Sequence, residues 1–220
     1  MLMTRPIVAV TGGTGFIGRR IVRALADAGY FVRALTRHGP ASHSVEAIKT
    51  VSWIQGTLDE SEALTSLVKD AVAVIHCAGA VRALNREGFL AVNRAGTRLL
   101  AEIAAAAMVP PRFILMSSLA AREPRLSAYA ASKRAGEQAV RAFPNVPAII
   151  LRPPAVYGPG DMETLPVFKM AAKGFILAPM VEGARASLVH VDDVVGAVMA
   201  ARRVAQHLRA LSTEFAEARA

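Results

Sequence analysis

A glycine-rich turn between a strand and a helix constrains the fold of this chain more than any other feature. The stretch Thr11–Gly18 follows the apolar run Ile7–Val10 and precedes apolar residues at helical spacing. In such a turn Gly12 makes the tight bend, Gly15 lets the backbone approach a pyrophosphate, and Gly18 lets the helix lie close to the sheet. Unpaired N–H groups and the helix dipole then favour phosphate at the helix start. The turn therefore predicts a dinucleotide site.

Glycine spacing alone also fits an ordinary strand–helix turn, so the context decides. Short apolar runs alternate with helical patterns along the following chain, and apolar strands joined by helices indicate a parallel sheet covered on both faces. The predicted fold class is therefore α/β, a doubly wound parallel sheet of the Rossmann type. Asp59 and Glu62 are spaced as a capping box for one of the helices. The predicted strands are Ile7–Val10, Phe31–Leu35, Val51–Ile54, Val72–His76, Phe113–Met116 and Ala148–Leu151, and the predicted helices are Phe16–Ala28, Ser61–Val68, Phe89–Ala107 and Ala128–Phe143.

Composition narrows the classes of protein that this chain can represent. The net charge of +9 invites a nucleic-acid hypothesis, but aromatic residues make up only 5% of the chain, too few for a base-stacking platform. No stretch approaches the roughly 18 apolar residues of a membrane span. Cys77 is the only cysteine, so no internal disulfide can form. We expect a cytoplasmic protein with a small-molecule substrate, without a nucleic-acid or membrane partner and without a metal site.

A second group of residues suggests chemistry. Tyr129 and Lys133 stand four apart on one predicted helix, and Ser117 and Ser118 follow the strand Phe113–Met116. In an open parallel sheet, ligands bind at the carboxyl ends of the strands. The Lys133 ammonium favours the phenolate form of Tyr129, so Tyr129 would move a proton to or from a substrate oxygen while the cofactor exchanges a hydride. Ser118 would hydrogen-bond the same oxygen.

With these two motifs the chain resembles the extended short-chain dehydrogenases/reductases, the NAD-dependent epimerase/dehydratase family. The resemblance runs from Ile7 to about Val195 and includes Met116–Ala120, Leu151–Gly160, the Asn93 and Thr97 pair, and the segment from His190. It implies Ser118, Tyr129 and Lys133 as the catalytic set. It also implies a cofactor site formed by Gly12, Thr14, Gly15, Phe16, Ile17, Gly18, Arg37, Leu58, Cys77, Ala78, Gly79, Lys133, Pro153 and Val156.

The choice of nicotinamide cofactor depends on the end of the second strand. No Asp or Glu occurs there to bind a ribose 2′-hydroxyl, whereas Arg37 could pair with a 2′-phosphate through its planar fork. The sequence therefore leans toward NADP over NAD. Cys77 is interpreted as a small buried filler without a redox role.

The predicted domains are an NAD(P)-binding Rossmann domain over 1–151 and a partial substrate-side region with a C-terminal helix over 152–220. Members of the family usually run further, so the substrate region is expected to be short and incomplete. Arg185 is a candidate contact for an anionic substrate group. The leading hypothesis is an oxidoreductase or epimerase acting on a nucleotide-sugar or another secondary alcohol. A non-catalytic dinucleotide-binding module with an assembly or sensor role remains the alternative, and a homodimer is left open.

Overall fold

A six-stranded parallel sheet forms the centre of the protein in a computed structural model that describes residues 5–38, 48–175 and 186–201. The strand order is β3-β2-β1-β4-β5-β6, with every neighbouring pair parallel. This order is that of the Rossmann fold, so the predicted fold class is confirmed. The strands are β1 (Ile7–Thr11), β2 (Phe31–Thr36), β3 (Val51–Gln55), β4 (Ala71–His76), β5 (Arg112–Met116) and β6 (Ala148–Leu151).

Helices cover both faces of the sheet, because successive side chains of each strand point to opposite faces. On one face, Val8 and Val10 of β1 lie in a cluster with apolar residues of α1 and the last helix. On the other face, Ala9 of β1 lies in a cluster with residues of α2, α4 and α5. The helices are α1 (Phe16–Asp27), α2 (Ser61–Val68), α3 (Arg86–Leu90), α4 (Thr97–Ala106), α5 (Ala128–Arg141), α6 (Leu165–Ala171) and α7 (191–201).

The helix predicted over Phe89–Ala107 is divided in the structure. It begins earlier, at Arg86, because the Asn85 side chain accepts the Gly88 N–H at 2.9 Å and caps the new end. Between α3 and α4 the turn Ala91–Gly96 is π-helical. In a π-helical turn the backbone hydrogen bonds join residues five apart instead of four. The Asn93 carbonyl in this turn also accepts a hydrogen bond from Thr97 Oγ1 at 2.8 Å.

The predicted capping box at α2 is wrong. The helix begins after Glu60, which makes no side-chain cap. Asp59 instead accepts a hydrogen bond from Thr57, which also donates to Glu60 at 2.8 Å. The carboxylate therefore stabilises the preceding turn rather than the free N–H groups of the helix.

Beyond β6 the chain forms a second, two-stranded parallel sheet of β7 (Ala155–Tyr157) and β8 (Leu188–His190). Two arginines of α1 hold this part against the large sheet: Arg19 donates to the Gly160 carbonyl at 3.1 Å, and Arg20 pairs with Asp192 at 2.8 Å. Within the described ranges, no helix has the length and hydropathy needed to cross a membrane.

Candidate functional site

The glycine turn after β1 has a shape that a dinucleotide needs. Gly12 adopts a φ of +70°, and a Cβ on Gly18 would lie 2.0 Å from the Gly12 carbonyl oxygen, so the turn and the helix touch backbone to backbone. A Cβ on Gly15 would meet only the Gly12 oxygen, at 3.3 Å, which leaves the outer side of the turn open.

Helix α1 begins at this turn without a cap of its own. Its N-cap is Gly15, no side chain caps it, and its first turn contains no acidic residue. The first N–H groups of a helix have no partner within the helix, so they attract an anion. The open turn and the uncapped helix together fit a pyrophosphate.

A cleft of about 800 Å³ opens at the carboxyl ends of β4, β5 and β6. All three residues of the predicted catalytic set line it: Ser118, Tyr129 and Lys133. The structure therefore brings together residues that come from the end of β5 and from α5. Predicted cofactor residues that also line the cleft are Phe16, Ile17, Cys77, Gly79, Pro153 and Val156.

The other predicted site residues lie around this cleft or away from it. Gly12, Thr14, Gly15 and Gly18 form the turn, and Ala78 packs against Gly12, whose Cβ position is 2.5 Å from the Ala78 nitrogen. Arg37 is exposed just past β2. Leu58 packs against Gly96. Arg185 falls outside the described residues.

Lys133 is buried, and its Nζ donates to the Met116 carbonyl at 2.7 Å. Burial lowers the pKa of Lys133 to about 8, while Cys77 and Glu137 act in the opposite direction. A Cβ on Gly79 would lie 3.4 Å from the same Nζ, so glycine at this position leaves room for the ammonium. Burial raises the pKa of Cys77 to about 12, with Lys133 opposing, which keeps the thiol protonated.

The two neighbouring serines have different surroundings. Ser117 is buried and its hydroxyl donates to Glu137 at 2.6 Å. Ser118 accepts the Ala120 N–H at 3.2 Å and begins the 3₁₀ turn Leu119–Arg122, so its own proton is left for another acceptor.

A buried ion pair behind these serines was missed in the sequence. The Glu137 carboxylate is fully buried and receives Arg152 Nε at 2.7 Å and Arg152 Nη2 at 2.5 Å. Burial raises the pKa of Glu137, but hydrogen bonds from Arg152 and Ser117 outweigh it and hold the pKa below its usual value. The pair ties α5 to the ends of β5 and β6.

Asn93, in the π-helical turn, joins the loop after β4 to the helix that carries Tyr129. Its side chain accepts the Ala80 N–H at 2.9 Å and donates to the Ala80 carbonyl at 3.0 Å and to Ser132 at 2.8 Å. Ser132 in turn donates to the Tyr129 carbonyl at 2.7 Å. The sequence resemblance included Asn93 but gave it no role.

The chain is similar in sequence to two curated reductases. Ceramide reductase of Caulobacter vibrioides is 49% identical over 196 residues, which is 89% of this chain and 61% of that protein. A farnesyl-dihydroquinoline-oxide ketoreductase of Stigmatella aurantiaca is 31% identical over 88% of this chain and 64% of its own length. The chain thus spans about three fifths of the length of these two curated relatives.

The fold of this chain is also similar to that of solved enzymes. MoeE5, solved with UDP-glucose and NAD, superposes with a TM-score of 0.71 at 26% identity and covers 90% of this chain and 71% of its own. The Bordetella bronchiseptica enzyme WbmH, solved with NAD⁺, shares the fold at 22% identity with a TM-score of 0.75, over 91% and 73% of the two chains. The model of the NAD dependent epimerase/dehydratase family matches residues 8–210. This chain belongs to the NAD dependent epimerase/dehydratase family.

Proposed function

We propose that this chain is an NADP-dependent reductase of a ketone carried by a long-chain lipid amide of the ceramide class. The observation that carries the proposal is the convergence of Ser118, Tyr129 and Lys133 in one largely apolar cleft beside the glycine turn. The similarity to ceramide reductase supports the choice of substrate class. The similarity to a ketoreductase supports the direction of the reaction.

The residues around the cleft fit a dinucleotide in an extended arrangement. Gly12, Gly15 and the first turn of α1 would hold the pyrophosphate, and Lys133 would hold the nicotinamide ribose. Arg37 has no ion pair among the described residues and would meet the 2′-phosphate of NADP. When bound, the reduced nicotinamide supplies the hydride that the carbonyl carbon receives.

The protein's own groups would complete the reduction with a proton. Ser118 would donate a hydrogen bond to the ketone oxygen, and Tyr129 would give that oxygen its phenolic proton, so that the ketone becomes a secondary alcohol. The Lys133 ammonium would stabilise the phenolate that this transfer leaves. Because the pKa of Lys133 is about 8, the ammonium predominates at neutral pH.

The lining of the cleft favours a lipid over a nucleotide-sugar. Apolar side chains at the cleft remain exposed to solvent, including 60% of Val81 and 80% of Leu126. Three carboxylates also line it: Asp161, Glu163 and Glu123. Arg122 and Lys133 line the same cleft and Glu163 pairs with Arg82 at 2.7 Å, so these charges are largely balanced. The preference for a lipid therefore rests on the apolar rim, which acyl chains would cover.

A substrate panel tests the proposal directly. Purified protein is given NADPH with a 3-keto N-acyl long-chain base in detergent, and in parallel NAD⁺ with UDP-glucose. We expect NADPH oxidation with the keto lipid and none with the nucleotide-sugar. Turnover of UDP-glucose alone would refute the lipid assignment, and cofactor binding without turnover of any keto lipid would favour the non-catalytic alternative.

A further inference from the structure

His76, the last residue of β4, is fully buried and hydrogen-bonded through both ring nitrogens. Its Nδ1 lies 2.5 Å from Thr11 Oγ1 at the end of β1, and its Nε2 lies 2.9 Å from Thr97 Oγ1 at the start of α4. The ring also packs edge-on against Phe113 of β5, with centroids 6.0 Å apart. One imidazole therefore touches three other elements of the fold, and the chemistry proposed above does not use it.

The neighbouring bonds determine where the imidazole proton lies. Thr97 uses its single hydroxyl proton to donate to the Asn93 carbonyl at 2.8 Å, so Nε2 must carry the hydrogen and donate to Thr97. Thr11 Oγ1 accepts the Ala78 N–H at 3.3 Å and keeps its own proton for Nδ1. Of the two neutral tautomers, only the form protonated on Nε2 satisfies all of these bonds.

The charges near the ring agree with a neutral imidazole. Burial and, to a lesser extent, the nearby Lys133 of α5 lower the pKa of His76 to about 3. Cys77, the next residue, remains a thiol, and Thr11, Thr97 and Phe113 are uncharged. No carboxylate makes an ion pair with His76 within the part of the chain that the structure describes.

The two threonines that His76 contacts connect it to different parts of the proposed cofactor site. Thr11 runs directly into Gly12, which packs against the Ala78 backbone. Thr97 holds the carbonyl of Asn93, whose side chain fixes the Ala80 loop and Ser132 of α5. We propose that His76, as the Nε2–H tautomer, is a positioning residue that couples the glycine turn to Asn93 and, through Asn93, to the Ala80 loop and α5. This inference rests on the proposed cofactor site.

The tautomer is measured in the unmodified chain. Nitrogen-15 NMR of histidine-labelled protein resolves the five histidines. The His76 signal is identified by its loss in His76→Phe or, if that variant does not fold, by the shift of its Nε2 resonance in Thr97→Val, which removes the partner of that nitrogen. We expect one neutral Nε2–H form from pH 5 to pH 8. An Nδ1–H form, an average of both tautomers, or titration within this range would overturn the proposal.

The coupling is measured as NADPH affinity by fluorescence, without any substrate. Thr11→Val and Thr97→Val keep the branched shape and remove one hydroxyl each, so each should weaken NADPH binding by about five- to tenfold. The double variant should be weakened less than the product of the two, by at least about threefold, because both hydroxyls act through one ring. Thr65→Val, on the exposed side of α2, is the matched control and should change nothing.

If His76 only fills space, the double-mutant cycle of Thr11 and Thr97 gives a different result than if His76 positions the two threonines. His76→Phe keeps an aromatic ring but removes the hydrogen bonds to Thr11 and Thr97, so the effects of the two threonine substitutions on NADPH affinity should become independent. Effects that are independent within twofold in the parent chain, or a coupling that persists in His76→Phe, would overturn the proposal. If NADPH and NADH both fail to bind the parent chain, the proposed function fails, while the tautomer result still stands.

Discussion

Replacement of Glu137 by glutamine should destabilise the fold through the ion pair behind the candidate site. Glutamine keeps the shape of the side chain but removes its charge and turns one acceptor into a donor that faces Arg152. Breaking a buried pair costs about 3–5 kcal/mol. Because 29% of the Arg152 side chain stays exposed, we expect the lower end, a loss of about 3 kcal/mol in the free energy of unfolding at pH 7.

The same pair predicts a pH dependence with a definite sign. The pKa of Glu137 is lowered in the folded protein, so its contribution is complete above the unfolded carboxyl pKa of about 4.3 and is lost as pH falls through the folded value. Urea unfolding at pH 7 and pH 3 measures both effects, with Glu102→Gln, exposed on α4, as the control. A loss below about 1 kcal/mol at pH 7, or an equal loss at both pH values, would refute the reasoning.

Three further predictions concern the cofactor site and Lys133. Gly15→Val should leave the fold intact by circular dichroism, since only the Gly12 oxygen is near, yet abolish binding of NADPH and NADH; affinity retained within about threefold would place the phosphates elsewhere. Arg37→Ala should weaken NADPH binding by about tenfold or more and spare NADH, because a charge-assisted bond contributes about 1.5–3 kcal/mol; equal affinities for both cofactors, unchanged by the substitution, would contradict the preference for NADP. The pKa of Lys133 is about 8 in the folded protein and about 10.4 in the unfolded chain. The free energy of unfolding, measured with urea, should therefore rise between pH 8 and pH 10 in the parent chain and not in Lys133→Met. The same dependence of this free energy on pH in both proteins would show that folding does not lower the pKa of Lys133.

Local patterns in the sequence were sufficient to predict most strands of the large sheet and several of its helices. The strand predicted at Ala148–Leu151 matches β6, and Ser61–Val68 matches α2, because apolar periodicity and turn residues mark such elements directly. The placement of Ser117 and Ser118 beside Tyr129 and Lys133 followed from the rule that ligands bind at the carboxyl ends of parallel strands. The choice of Ser118 over Ser117 came from the family resemblance. In the structure Ser118, Tyr129 and Lys133 line one cleft.

Features built from distant contacts were not predictable in this way. Glu137 lies on a helix where a carboxylate normally faces solvent, and its partner Arg152 is fifteen residues away, just past β6. The π-helical turn at Asn93 lies close against α5, where a Cβ on Gly136 would lie 2.3 Å from the Asn93 carbonyl oxygen. No local pattern marks either contact, since each joins parts of the chain that meet only in the folded protein.

The acid–base role of Tyr129 is the central claim, and one substitution tests it most directly. Tyr129→Phe keeps the ring, which packs against Phe89 with centroids 6.1 Å apart, and removes only the hydroxyl. With the keto lipid and NADPH, we expect turnover to fall by about two to four orders of magnitude while NADPH affinity stays unchanged. Turnover that survives in Tyr129→Phe within a few-fold of the parent rate would contradict the account.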